Sequence, residues 1–153
     1  KGGDLTTLEN ILDGKVYENG RLIAKNIRAR KAKIYKYSRD VEVLREDGVL
    51  MMDINFRTKG KEKRYARIIA DHLKYNPQTK KSEWDGNIKI REKDREILCD
   101  LMKIDFNNDT TSLEGNVILK EKGKVVTAKS GIYQDKTKTI TLISSVKAIL
   151  ERG

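Results

Sequence analysis

Short apolar stretches alternate with turn residues along the whole chain, and within each stretch apolar and polar positions alternate singly. A spacing of two places successive side chains on opposite faces of a strand, so the pattern predicts β-strands with one apolar face. Val16 to Ile23 predict a hairpin, with Asn19–Gly20 as a two-residue turn that favours positive φ at both positions. Asp47–Gly48 and Lys122–Gly123 predict further reversals.

A repeat of constant length organises the second half of the chain. Its copies begin at Ala70, Cys99 and Ala128, which lie 29 residues apart, and a fainter copy begins at Ala29. Each copy consists of an alternating stretch, a polar turn and a second alternating stretch. One hairpin cannot bury its apolar face alone, so the copies must stack. The repeat therefore predicts an all-β fold, an open β-jellyroll or roll of two facing antiparallel sheets built from strand–turn–strand units.

Equivalent positions of the repeat carry apolar residues, which predicts that they share one inner face. We expect this face to line an apolar cleft formed by Leu73, Tyr75, Ile88, Ile90, Met102, Ile104, Leu113, Val117, Leu119, Tyr133, Leu142 and Val146. Columns of this kind usually form plain core, and the residues alone favour that interpretation.

Two glycines of the repeat, Gly86 and Gly115, immediately precede the second apolar stretch, which predicts a bulge or tight bend at each. The acidic residues Asp71 and Asp100 recur at the same spacing. Acidic pairs can indicate acid–base catalysis, but recurrence with the repeat favours a structural role. We therefore predict no catalytic site and no enzymatic activity.

Composition limits the chemistry further. Cys99 and His72 are the only cysteine and histidine, which excludes an intrachain disulfide and a Cys/His zinc site. We expect no cofactor and no metal. The net charge of +10 favours anionic partners, and nucleic acid, acidic lipid head groups and acidic proteins all fit it.

The chain fits one domain of residues 16–153, preceded by an N-terminal segment of residues 1–15. A short helix is predicted in that segment near Leu5–Leu12, with Asp4 as its N-cap. The sequence contains no apolar run of the roughly 20 residues that a membrane helix needs. It also does not begin with Met, so we expect that the natural protein starts before Lys1, where any targeting or anchoring segment would lie.

Several motifs together resemble the repeat of the LptA/LptC/OstA group of lipopolysaccharide transport proteins, and LptC in particular. Ala70-Asp71 is followed by Tyr75, a turn and Gly86-Asn87-Ile88, and Cys99-Asp100 is followed by Gly115-Asn116-Val117. The opening stretch, Glu18 to Leu22 and then Ile27 to Ala32, is similar to the first hairpin and strand of LptC. The third copy departs from the motif, with Ala128-Lys129 and Ser144-Ser145 at the equivalent positions.

The resemblance implies a β-jellyroll that is open along one side and has no enzymatic step. It implies that lipopolysaccharide passes from an inner-membrane ABC transporter complex through the apolar cleft to the periplasmic bridge protein LptA. It also implies a periplasmic domain anchored to the inner membrane by an N-terminal helix. An LptA-like soluble bridge protein is the alternative within the same group.

A nucleic-acid-binding β domain is the alternative from another class. Tyr35 and Tyr37 lie among cations, and such clusters combine base stacking with charge. The cations are Lys31, Lys33, Lys36 and Arg39. We interpret the cluster as a charged, solvated strand and expect no nucleic-acid partner.

The last apolar stretch, about Thr139 to Leu150, is rich in β-branched residues, and Lys147 is its only charge. No further repeat follows it, so we predict an uncovered sheet edge, which offers backbone hydrogen-bonding groups to another strand. We expect the next protein of the pathway to dock here, on Ile140, Leu142, Ser144 and Val146.

Overall fold

The protein, represented by a computed structural model, is described over residues 5–18, 20–46, 50–56, 64–134 and 139–150. Within these ranges all regular secondary structure is β-strand, which confirms the predicted all-β fold. The strands are β1 (Leu5–Glu18), β2 (Arg21–Tyr35), β3 (Val41–Leu44), β4 (Met51–Phe56), β5 (Arg64–Ile69), β6 (His72–Asn76), β7 (Lys81–Glu92), β8 (Arg95–Asp105), β9 (Thr110–Glu121), β10 (Lys124–Gln134), β11 (Thr139–Ile143) and β12 (Lys147–Leu150).

The strands form one antiparallel sheet that bends along a line across its middle. Each of three long strands pairs along one edge with two short strands placed end to end. These are β3 and β4 beside β2, β6 and β5 beside β7, and β11 and β12 beside β10. The long strands change register near their midpoints, for example between Asp85 and Ile88. We call layer A the strands β3, β6 and β11 with the parts of the long strands nearest them, and layer B the strands β4, β5 and β12 with the remaining parts.

Side chains from both layers belong to one buried apolar cluster, which includes Trp84 and Met102 from layer A and Ile68 and Ile90 from layer B. The two layers therefore face each other across a common core, as the predicted roll of two antiparallel sheets requires. Hairpin turns lie on the side opposite the bends. The β6–β7 and β8–β9 turns belong to layer A and the β1–β2 and β9–β10 turns to layer B, and we call this side the open margin.

The recurring acidic residue, glycine and asparagine of the repeat form the bend itself. In the first clear copy Gly86 and Asn87 have φ of 80° and 49°, and the Asp71 carboxylate accepts a hydrogen bond from Asn87 Nδ2 at 2.8 Å. The Asp71 backbone N–H donates to Gly86 O at 2.9 Å. Arg45 donates to the same carboxylate, and this hydrogen bond lowers the pKa of Asp71. The structural interpretation of Asp71 agrees with these contacts.

The second copy repeats this geometry almost unchanged. Gly115 and Asn116 have φ of 79° and 47°, and Asn116 Nδ2 donates to Asp100 Oδ2 at 2.8 Å. The predicted bends at Gly86 and Gly115 are therefore confirmed.

The third copy keeps the bend but not the side chains that fix it elsewhere. Ser144 and Ser145 adopt φ of 65° and 52° at the positions of the Gly-Asn pair. The backbone N–H of Lys129, which replaces the aspartate, still donates to Ser144 O at 3.0 Å. Positive φ is costly for side chains other than glycine and asparagine. The backbone pairing therefore determines this bend.

The predicted helix near Leu5–Leu12 is wrong, because this segment is the first part of β1. Leu5 pairs with Tyr35 and Leu8 with Ala32, along the edge of β2. Leu5, Leu8 and Leu12 are 39%, 45% and 71% exposed, so their helix-like spacing does not reflect burial on one helical face. β1 continues across the predicted boundary at residue 15.

The hairpin predicted around residues 16–23 is confirmed by the pairing of Glu18 with Arg21, although Asn19 lies outside the described residues. The reversal at Lys122–Gly123 connects β9 and β10 as predicted. Asp47–Gly48, which predicts another reversal, also lies outside the described residues. Among the described residues there is no helix long and apolar enough to cross a membrane.

Candidate functional site

An apolar pocket of about 450 Å³ lies between the two layers at the β1 end of the roll. Ligand pockets in proteins typically fall in the range of about 300–1,000 Å³, so this volume suits a small ligand or part of a larger one. Layer A contributes strands β3 and β6, layer B contributes β4, and β1 and β2 pass through both. The apolar lining residues include Leu8, Ile11, Val16, Ile23, Ile27, Ile34, Val41, Val43, Met52, Ile54, Leu73, Trp84 and Phe106.

Small residues explain why space remains at this end. Ala24 and Ala32 line the pocket, where larger side chains would occupy its volume. The other end of the roll is packed instead by large side chains such as Met102 and Leu113, which are 0% and 1% exposed. Close packing of this kind leaves few voids wider than a water molecule.

The predicted cleft residues divide between these two environments. Leu73 and Tyr75 line the pocket, whereas the other ten do not. Nine of these ten are at least half-buried elsewhere in the roll: Leu142 is half-buried, and the buried ones are Ile88, Ile90, Met102, Ile104, Leu113, Val117, Leu119 and Tyr133. Val146 is 50% exposed, so its predicted place on the inner face is wrong. It follows the Ser144–Ser145 bend and precedes β12, and the repeat loses its phase there.

Most of the pocket lining comes from β1 to β4, which the sequence did not single out. The repeat is clear only from Ala70 onward, and the columns were built from those copies. A signal was nevertheless present, because β2 alternates between apolar and charged residues from Ile27 to Arg30. The same alternation in Val41 and Val43 marks the buried face of β3.

A polar cluster joins the two layers at the mouth of the pocket, on the open margin. Glu18, at the end of β1 in layer B, accepts a hydrogen bond from Tyr75 Oη at 3.2 Å and pairs with Lys80 Nζ at 2.9 Å. Tyr75 and Lys80 flank the β6–β7 turn of layer A. Burial, together with the Glu18 carboxylate, raises the pKa of Tyr75 to about 12, so the phenol remains protonated. The Phe106 ring packs edge-on against Tyr75, with 6.1 Å between the ring centroids.

A second contact crosses the same margin further along the roll. The Arg95 guanidinium, beside the β7–β8 turn of layer B, lies 5.5 Å from the centroid of the Tyr133 ring in layer A. Cations at this distance are attracted to the face of an aromatic ring. The margin is therefore held together by side chains rather than by strand pairing.

Charged side chains cover the outer faces of the sheet. On layer B, Arg67 pairs with Asp53 and Arg91 with Glu96, each at 2.9 Å. Among the described residues no cluster of histidine, cysteine and acidic side chains is suited to a metal ion. Burial and the neighbouring Asp100 raise the pKa of the Cys99 thiol to about 12, which leaves it unreactive near neutral pH.

The tyrosines of the nucleic-acid alternative lie at the end of β2. Tyr37 is 76% exposed in the β2–β3 turn, with Lys36 Nζ 5.7 Å from its ring centroid, and Tyr35 is the last residue of the strand. These two residues do not line the apolar pocket.

Two strand edges of the sheet remain uncovered among the described residues. β1 pairs with β2 alone, and β11 and β12 pair with β10 alone. Ile140 and Leu142 lie in β11, whereas Ser144 and Val146 lie between β11 and β12. The predicted C-terminal edge is thus an edge in the fold, interrupted at residues 144–146.

The fold of this chain is similar to that in the crystal structure of LptH, "the LptA homologous periplasmic component of the conserved lipopolysaccharide transport device from Pseudomonas aeruginosa". The TM-score is 0.59 and the sequence identity is 4%. The match covers 97% of this chain and 95% of that chain, and at this identity it shows a common β-jellyroll fold. No curated protein matches the sequence. The family described as lipopolysaccharide-assembly, LptC-related, matches residues 6–151, and the chain therefore belongs to the LptC family.

Proposed function

We propose that this domain binds lipopolysaccharide by its acyl chains in the apolar pocket and passes it from an inner-membrane ABC transporter complex to LptA. The observation that carries the proposal is the pocket itself, which lies between two β-layers and has a nearly continuous apolar lining. Transferring an acyl chain from water to such a surface is favourable by about 0.8 kcal/mol for each buried CH₂ group. Membership of a lipopolysaccharide-assembly family supports this ligand.

The distribution of charge supports the same orientation of the lipid. The inner faces of both layers are apolar, whereas the outer faces carry residues such as Lys74, Lys103 and Lys120. Phosphorylated sugars remain in water beside these cations, since lysine binds phosphate as a compact charge. The function requires no chemical step.

The packed end of the roll bears on how the lipid moves. A path that reaches the β11/β12 edge must pass between Met102, Leu113 and Val117, whose side chains are now in close contact. We infer that the layers separate there during transfer. The contacts across the open margin are side-chain contacts, so they can break without loss of strand pairing.

A photo-reactive amino acid at Leu73 is expected to capture lipopolysaccharide in cells, and one at Lys74 is not. The two positions are adjacent in β6, but Leu73 is buried in the pocket lining and Lys74 is exposed on the outer face. Cross-linked adducts are detected on gels with antibody to lipopolysaccharide. Equal capture at both positions would contradict a lipid held between the layers.

The β11/β12 edge is proposed to dock LptA by strand addition. Adjacent residues of an edge strand alternate in direction, so one N–H of each pair faces the neighbouring strand and the next faces away. Thr141→Pro and Leu142→Pro each remove one backbone N–H, and only one of these two N–H groups faces away from β10. We expect the variant that loses this outward N–H to stay folded and to bind LptA less than one-tenth as tightly as wild type. Ser144 is unsuitable for this test, because its φ of 65° excludes proline.

Circular dichroism identifies the folded variant, and LptA binding is measured by co-purification. Wild-type binding in that folded variant would exclude this edge as the docking site. A periplasmic location and an inner-membrane anchor ahead of Lys1 complete the proposal. Fractionation of the full-length gene product tests both, and a cleaved, unanchored product would favour the LptA-like alternative.

A further inference from the structure

The ion pair at the pocket mouth has an unusual position. Glu18 and Lys15 are the charged residues of the largely apolar pocket lining. Lys80 does not line the pocket itself but forms an ion pair with Glu18 at its mouth. The Glu18 side chain is 19% exposed and that of Lys80 is 31% exposed, so both are partly withdrawn from water. The pair joins layer B to layer A on the margin through which a ligand can enter from the side.

The turn that carries Lys80 is well defined. The Lys80 backbone N–H donates to Asn76 O at 2.8 Å, and the Asn76 side chain accepts from the backbone N–H groups of Gln78 and Thr79. Lys80 has a φ of 59°, in the left-handed region. The ammonium group is therefore presented from a fixed turn, whereas Glu18 lies at the end of an edge strand.

We propose that Lys80 is a binding site for the phosphate of an amphiphile, and that Glu18 occupies this site while the pocket is empty. The proposal rests on the function proposed above and adds the residue that receives the head group. A chain lying among Leu73 and Phe106 places its head group at the mouth, beside Glu18 and Tyr75.

Phosphate is the stronger competitor for Lys80. A phosphate monoester carries up to two negative charges and three acceptor oxygens, whereas the Glu18 carboxylate carries one charge. The displaced carboxylate keeps its hydrogen bond from Tyr75 Oη, because that phenol remains protonated. Repulsion between the phosphate and Glu18 then keeps the carboxylate turned away from Lys80 and toward the Tyr75 hydroxyl while the phosphate is bound.

The test compares two variants that break the same ion pair. Glu18→Gln leaves Lys80 free to bind an anion, whereas Lys80→Gln removes the cation. Glu96→Gln is the matched control, because it removes one carboxylate from the Arg91–Glu96 pair on the outer face of layer B. Trp84 reports binding, since it is the single tryptophan, it lines the pocket and it is 1% exposed.

The probes are dodecyl phosphate, dodecanol and inorganic phosphate, titrated against Trp84 fluorescence at low ionic strength. An ion pair near the surface is worth about 0.2–1 kcal/mol, which corresponds to a factor of up to about five in Kd. We therefore expect Glu18→Gln to bind dodecyl phosphate about two- to five-fold more tightly than wild type. We expect no tightening for Lys80→Gln or Glu96→Gln, and unchanged dodecanol binding in all variants. Lys80→Arg keeps the cation and should retain wild-type affinity.

Equal tightening in Glu18→Gln and Lys80→Gln would show a simple mechanical closure and overturn the anion site. Tightening of dodecanol binding by Glu18→Gln would do the same. If inorganic phosphate binds Glu18→Gln as tightly as dodecyl phosphate, the site serves free phosphate and the head-group assignment fails. Absence of any response of wild type to dodecyl phosphate or to lipopolysaccharide would instead reject the proposed function itself.

Discussion

Val117→Asp is expected to unfold the domain or to lower its stability by about 3–5 kcal/mol, whereas Val146→Asp is expected to change it by less than about 0.5 kcal/mol. The two valines occupy equivalent positions of the repeat, 29 residues apart, but Val117 is 0% exposed and Val146 is 50% exposed. A carboxylate at position 117 loses its hydration among the apolar side chains of the core cluster, and this costs several kcal/mol.

The cost at position 117 depends on pH with a defined sign. Burial raises the pKa of the introduced Asp in the folded state above its unfolded value of about 3.9. The variant is therefore least destabilised below about pH 4 and loses stability as the pH rises through the folded-state pKa.

Thermal unfolding followed by circular dichroism at pH 4 and pH 7 measures both effects. A loss of 3–5 kcal/mol lowers the Tm by roughly 6–20 °C in a domain of this size. Equal Tm values for the two variants at pH 7 would contradict the burial difference between these positions.

Gly86→Ala is expected to destabilise the domain by about 2–4 kcal/mol, and Gly20→Ala by about 1 kcal/mol. Both glycines have positive φ, of 80° and 76°, so both substitutions carry the strain of a side chain in that region. A Cβ at Gly86 would lie 2.6 Å from Asp71 Oδ2 and 2.7 Å from Asp71 Cβ, whereas a Cβ at Gly20 meets nothing within 4 Å.

Asp71 cannot move aside without losing its hydrogen bonds from Arg45 and Asn87. Gly20→Ala therefore isolates the backbone strain, and the difference between the two variants measures the steric contact. Urea denaturation gives both free energies. A Gly86→Ala variant no less stable than Gly20→Ala would show that the bend can rearrange around the new methyl group.

The residues changed in these two pairs of variants also shape the space between the layers. The bends connect layer A to layer B in every repeat, and hydrogen bonds hold each of them in place. Side chains such as Val117 are packed in the core, while the small residues Ala24 and Ala32 leave space at the β1 end. The roll therefore has a preformed pocket at one end and a closed core at the other.

Much of the fold was determined by the sequence, because strand faces and turns are local properties. The alternation of apolar and polar residues identified the inner faces of β6 to β10, and eight of the twelve predicted cleft residues are buried in one core cluster with one more, Tyr133, also buried. Gly86 and Gly115 marked the bends, since glycine inside a strand often marks a bulge or tight bend that other residues rarely adopt. The helix assigned to Leu5–Leu12 failed because spacing alone does not show which partner strand is available.

The tertiary structure decided what the faces enclose and which distant residues meet. Whether an apolar face becomes packed core or pocket depends on the size of side chains on the opposing layer, such as Ala24 and Ala32, and not on periodicity. Glu18 and Tyr75 are 57 positions apart and meet only because the sheet folds back on itself. Val146 does not lie on the inner face, because the chain turns at Ser144–Ser145 just before it. Strand pairing imposes positive φ on these two serines, although their side chains disfavour it.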